Sequence, residues 1–197
     1  KERLSKNYDV IKGVTYDKKD QVYRETGTAI LTADNITLEN YLEIVKTVYL
    51  DEAFETNDNA KLLKNDIFMC LSSGSRKHIG KIAYINDDLP YFAGGFMGIV
   101  RQREQHPETT LLPKYIYSVL SMPNVRMYMG KICTGNNIKN LNDNDVDIKI
   151  PVPPLDIQQN IIDDLNQIEV EESKSIDQMS ILKKQLKNGD WFSFESE

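Results

Sequence analysis

Ile150-Pro151-Val152-Pro153-Pro154-Leu155-Asp156-Ile157-Gln158-Gln159-Asn160-Ile161 is the stretch on which the reading of this 197-residue chain turns. Three prolines in four positions fix φ and remove backbone donors, so residues 151–154 run extended and exclude regular helix. From Leu155 to Lys187 there is no Pro or Gly, and apolar residues recur at 157, 161, 162, 165, 168, 176, 179, 182 and 186. That three-four spacing is the stripe of one amphipathic helix, which Gly189 ends. Its 33 residues make a rod of about 50 Å at about 1.5 Å each. Glu172 interrupts the stripe, so the heptads are imperfect. Such a face does not stay in water, because each large apolar side chain buried contributes about 1.5–3 kcal/mol. Either the chain's own globular part covers it, or an equivalent long helix does, from a second copy or from a second half of a longer polypeptide. On the latter, sharper reading the pairing residues are Ile157, Ile161, Leu165, Ile168, Ile176, Met179, Leu182 and Leu186.

Upstream of the prolines the texture differs. Short β-like runs occur at Ala29-Ile30-Leu31-Thr32, Tyr41 to Leu50, Ile67 to Leu71, Lys81 to Ile85 and Gly98 to Arg101. Turn chemistry separates them at 57–59, 72–75, 86–88 and 134–137. One helix is predicted from Pro113 to Met122, with Pro113 in its first turn and Pro123 beyond its end, and a second over Asn124 to Lys131. The expected organisation is an α+β chain: a mixed-sheet domain over 1–150, a proline-led long helix over 151–188, and a tail over 189–197.

Composition is that of a globular protein, with 40% apolar and 27% charged residues, and no apolar run approaches the roughly 18 residues of a membrane span. Cys70 and Cys133 have no CxxC spacing and read as free thiols, which suits a reducing cytoplasm. The opening Lys1-Glu2-Arg3 carries neither an initiator Met nor a signal segment, as in a fragment of a longer chain. The net charge of −6 argues against nucleic acid only until it is divided. Residues 1–63 carry −3, residues 64–139 carry +5, residues 140–150 carry −2 and residues 151–197 carry −6. The acidity therefore belongs mostly to the helical arm, and the middle is basic.

Motifs for chemistry are missing. His78 and His106 stand in no HExxH or Cys-pair spacing, Gly94-Gly95-Phe96-Met97-Gly98 lacks the GxGxxG pattern, and Ser72, Ser73 and Ser75 form no GxSxG. Asp88-Leu89-Pro90-Tyr91 is similar to the Asp/Asn-Pro-Pro-Tyr/Phe tetrapeptide of adenine N6 methyltransferases, but Leu89 breaks it and no glycine-rich cofactor turn precedes it. An enzyme is not expected.

Several segments, in a shared order, resemble the target-recognition domain of type I restriction-modification specificity subunits. They are Gly27-Thr28-Ala29-Ile30, Asp34-Asn35-Ile36, Lys64 to Ser75, Gly80-Lys81-Ile82-Ala83, Ala93-Gly94-Gly95-Phe96-Met97, Pro113-Lys114-Tyr115-Ile116-Tyr117 and Gly135 to Leu141. The opening stretch is similar to that family's Pro-Pro-Leu-x-x-Gln-x-x-Ile entry into its helix. A complete specificity subunit carries two recognition domains and two long helices, so this chain resembles a half-subunit or the C-terminal module of a methyltransferase-specificity fusion.

The resemblance implies a non-catalytic reader of double-stranded DNA. It would direct adenine methylation by a partner methyltransferase that uses S-adenosylmethionine, with a restriction subunit as an optional further partner and no membrane role. On that reading, the candidates in the turns and strand ends of the basic middle for contact with DNA are Ser73, Ser75, Arg76, Lys77, His78, Lys81, Arg101, Arg103, Lys131, Asn136, Asn137 and Lys139. Antiparallel pairing of the long helices would hold two such domains over a split target, the rod spanning about 15 base pairs at about 3.4 Å each. The competing reading is a helical protein-protein docking module with no nucleic-acid role, which salt dependence would separate from DNA binding.

Overall fold

A strand that is buried at every position has sheet on both edges and cover on both faces. Ile67–Cys70 is such a strand, and in the computed structural model it sits inside the larger of the chain's antiparallel sheets. The structure describes residues 1–23, 27–103 and 111–187. The strands in chain order are β1 (Glu2–Arg3), β2 (Tyr8–Lys12), β3 (Gln21–Val22), β4 (Thr28–Leu31), β5 (Val48–Leu50) and β6 (Ile67–Cys70), followed by β7 (Ser72–Ser73), β8 (Ile82–Tyr84), β9 (Phe92–Ala93), β10 (Met97–Gln102), β11 (Lys139–Asn140) and β12 (Lys149–Ile150). The helices are α1 (Pro113–Leu120), α2 (Pro123–Ile132), α3 (Asp143–Val146) and α4 (Leu155–Lys187). The chain divides into two units, one over Lys1–Leu155 and one beginning at Asp156.

In the first unit one sheet has the order β2-β10-β6-β8, all antiparallel, with Ile99 opposite Ile11 on one side and Phe68 on the other. A second has the order β3-β5-β4-β9, in which β4 and β9 run parallel through Ile30↔Phe92 and Leu31↔Ala93. The expected mixed sheet is thus two sheets, joined where two backbones touch. A Cβ on Gly13 would stand 1.9 Å from the Gly94 carbonyl oxygen, so only glycine allows that approach. Leu31, Ile36, Leu62, Phe68, Cys70, Ala83, Ile85, Ala93, Met97 and Ile99 form the main core between the sheets. A two-stranded pair, β1 with β12, closes the unit by setting Glu2 opposite Ile150.

The run Tyr41 to Leu50 is strand only at Val48–Leu50. The reason is Asn35, fully buried, whose carboxamide donates to the carbonyls of Glu43 (3.3 Å) and Lys46 (2.9 Å) and so replaces a ladder with a fixed loop. Asn40, at φ 71°, is a second buried amide that accepts from Ile82 N–H, while its carbonyl accepts from the Tyr117 hydroxyl at 2.9 Å. It thereby ties this loop to β8 and α1. Both predicted short helices are present, each with proline in its first turn, and the second reaches Ile132. The long helix occupies Leu155–Lys187 as the proline-free run predicts. Along it Ile157, Ile161, Ile168, Ile176, Met179 and Leu182 are exposed and Leu165 is half-buried. The Leu186 side chain and the 189–197 tail lie outside the described residues. Among the described residues no helix is long and apolar enough to cross a membrane.

Candidate nucleic-acid interface

Residues 72–86 and 111–142 contain seven Lys and Arg and no Asp or Glu. The fold brings three pieces of these acid-free segments together. Ser73 Oγ accepts from the Ser75 amide at 3.1 Å, and successive turn bonds, His78 N–H to Ser75 O and Ile79 N–H to Arg76 O, wind residues 75–79 into a tight loop. The strand pair β7-β11 sets Ser73 opposite Lys139, which lays the 134–139 loop beside it. Helix α2 packs below: Arg126 donates to the Lys77 carbonyl at 2.6 Å and to that of Leu38 at 2.6 Å, and a Cβ on Gly80 would meet Met129 Sδ at 3.0 Å.

Arg76, Lys77, Lys131, Asn136 and Asn137 are exposed on this face, with Ser73, Ser75, His78 and Lys139 partly exposed among them. Arg76, Lys77 and Lys131 form no salt bridge among the described residues. A positive field also reaches His78. Burial first, and then the positive charges of Lys81, Lys77 and Arg126, hold its imidazole below the ordinary value, so at neutral pH it offers a donor and an acceptor and no charge. Lys139 donates to the carbonyls of Gly135 and Asn136, the latter at 2.8 Å, and so braces the loop that holds out the two asparagines.

Three candidates stand elsewhere. Lys81 is buried, and its ammonium donates to the carbonyls of Ala33 (2.6 Å) and Ile36 (2.5 Å). Burial pushes its pKa below the usual lysine value. Arg101 makes a two-pronged bond to the buried Asp66, Nε to Oδ1 at 2.8 Å and Nη2 to Oδ2 at 2.6 Å, and donates also to the carbonyls of Asn59 and Lys61. Arg103 pairs with Asp9 at 2.7 Å. Both arginines lie at the end of β10 away from the Met97↔Cys70 pair that abuts the serine loop. These three candidates therefore do not join the exposed set around the serine loop. A cation inside a strand pattern looks the same in sequence whether it faces solvent or a buried carboxylate.

Arg126 is the residue of this face that sequence reasoning passed over. Its signal was available: it lies in the acid-free segment 111–142, on the same predicted helix as Lys131. A groove of about 710 Å³ adjoins the face, lined among others by Thr15, Asp17, Asp34, Ser73, Phe96 and Ile138. Among the described residues no group of His, Cys, Asp and Glu is placed to hold a metal ion.

In sequence order the chain is a two-sheet unit and then a proline-led long helix. Residues 4–179 match the family model described as the type I restriction modification DNA specificity domain, and the chain belongs to that family. Among curated relatives it is 26% identical over 160 residues to the type I restriction enzyme EcoKI specificity subunit of Escherichia coli K12, and 29% identical over 170 residues to the StySPI specificity subunit of Salmonella potsdam. Each alignment covers 80% of this chain and 33% of the relative, so the chain spans about a third of the length of the curated relatives it matches. The fold is shared with a chain from a structural study of complex assembly and conformational transition in the type I R-M system (TM-score 0.66, 16% identity, 95% of this chain and 42% of that one). It is shared also with the HsdS subunit of Thermoanaerobacter tengcongensis (TM-score 0.60, 15% identity, 87% and 37%).

Proposed function

We propose that this chain is the sequence-specific DNA-recognition module of a type I, or fused type IIG-like, restriction-modification system. It performs no chemistry itself. It selects the double-stranded site at which a partner adenine N6 methyltransferase, carrying S-adenosylmethionine, methylates, and at which a restriction subunit cleaves where one is present. The observation that carries this reading is the clustering of Arg76, Lys77, Arg126, Lys131 and Lys139 from three acid-free segments onto one face that also presents Asn136, Asn137 and Ser75. Cations of this kind hold phosphates and set register, while amides and hydroxyls between them bond to base edges. The exposed stripe of α4 pairs with an equivalent helix, of a second copy or a second half, and holds two such faces at a fixed separation.

Affinity of the full chain with its methyltransferase subunit, measured on DNA across a salt series, tests the reading. Binding should fall steeply with salt, and Arg76→Ala, Lys77→Ala and Lys131→Ala should each reduce the log-log slope by about one. Binding indifferent to salt would refute it and favour protein docking.

A further inference from the structure

The groove beside the basic face is mixed in charge, with Asp17, Asp34 and a single cation, Lys18, on its walls. It also displays two apolar side chains that the fold has immobilised without burying. Phe96 is the third residue of a turn closed by Met97 N–H donating to Gly94 O at 2.8 Å, and its own carbonyl accepts from both Leu71 N–H and Ser72 N–H at 3.0 Å. The turn is pressed against the segment just after β2, where a Cβ on Gly95 would come within 3.1 Å of the Val14 carbonyl oxygen. Three hydrogen bonds fix the backbone, yet the ring is 60% exposed. Ile138 is held comparably. Its loop is closed by the reciprocal bonds of Thr134 and Asn140, and Gly135, at φ +99°, turns so tightly that a Cβ there would lie 2.1 Å from the Ile138 carbonyl oxygen. Ile138 is 45% exposed.

Leaving a Phe and an Ile in water forgoes the stabilisation of burial, and pinning both backbones removes the ordering cost of a later contact. Both are features of an anchor built for a partner. The major-groove edge of DNA has one apolar group, the C5-methyl of thymine, and carboxylates beside it can accept from the amino group of cytosine. We infer that Phe96 and Ile138 read a thymine methyl group in the major groove, while the phosphates of the same duplex rest on the neighbouring cations Arg76, Lys77 and Lys131. This rests on the proposed DNA-recognition function and adds the chemical feature of the base that the module discriminates.

The test uses the full chain with its methyltransferase subunit. A pool of duplexes with a randomised core first yields the selected site, and each thymine of that site is then replaced singly by deoxyuridine, which lacks only the methyl group. At one or more positions the replacement should weaken binding about fourfold, the worth of one buried methyl. Phe96→Ala should shrink that difference with the salt slope unchanged, and Ile138→Ser should do the same. The exposure of both side chains lets the variants fold, which an unchanged thermal midpoint checks. Indifference to uracil at every position would overturn the inference, as would an equal loss on thymine and uracil duplexes, with the DNA-recognition reading left standing. Failure of the pool to yield any preferred sequence would overturn that reading as well.

Discussion

Arg101 separates a structural reading of a charge from a functional one. Its guanidinium is one-fifth exposed and the Asp66 carboxylate is almost wholly buried. Asp66 Oδ2 also accepts from the Leu63 amide at 2.7 Å. Arg101→Met keeps the aliphatic stem but leaves a buried carboxylate with one backbone partner, and strips the carbonyls of Asn59 and Lys61 of a donor. Removing one member of a buried pair costs about 3–5 kcal/mol, and partial exposure of the guanidinium places this case near 3. For a unit of about 150 residues each kcal/mol lowers Tm by about 2–4 °C, so the variant should melt about 6–12 °C lower. In a double-mutant cycle with Asp66→Asn the two losses should be non-additive by more than about 1 kcal/mol. The assays are urea denaturation followed by circular dichroism, and DNA affinity against salt at a temperature where both proteins are folded. An unchanged urea midpoint together with a salt slope reduced by about one would refute the argument, because Arg101 would then be holding a phosphate.

Lys81→Met leaves two buried carbonyls without their donor and should cost about 1.5–3 kcal/mol in the same denaturation assay, with the salt slope of DNA binding unaltered. Burial holds the phenols of Tyr8, Tyr16, Tyr84 and Tyr115 above their ordinary value, Tyr8 the furthest. The unfolded chain releases those protons near pH 10 and the folded chain keeps them, so their contribution is complete below about pH 10 and is lost as pH rises further. The lowered pKa of Lys81 works in the opposite sense and offsets part of the fall. Tyr8→Phe, which loses the bond to the Leu111 carbonyl, should flatten the alkaline decline measured by denaturation at pH 9 to 11, and a profile identical to that of the parent chain would contradict this. Ile176→Lys combined with Leu182→Lys places two charges in the exposed stripe of α4. Light scattering should then report half the mass of the parent assembly, and an unchanged mass would count against helix pairing.

The long helix was fully legible because its signal is local: a run without Pro or Gly, a stripe, and prolines at its head. Helices α1 and α2 were legible from equally local signals, Pro113 opening the first and Pro123 limiting it, although Pro123 in the structure also opens the second. The division of the strands into two sheets was not, because the partner of each strand lies far along the chain. The parallel pairing of β4 with β9, for example, joins residues about 60 positions apart. Nothing in the sequence singles out the amides of Asn35 and Asn40, yet burial turns them into the ties that shape residues 35–46. At the basic face the glycine and asparagine turns were good guides, since they mark loops that must be at the surface. Lys81 and Arg101 misled because the sequence does not record which side of a strand meets a buried acceptor.

The pairing of β1 with β12 places the entry and exit of the recognition unit side by side, with Glu2 opposite Ile150. A fold whose two ends meet can be spliced into a host polypeptide at a single point without prising apart what flanks it, and its ends can be joined and reopened elsewhere without disturbing the core. On the proposed function, exchange of such a cassette between hosts would carry a new sequence preference into an old assembly.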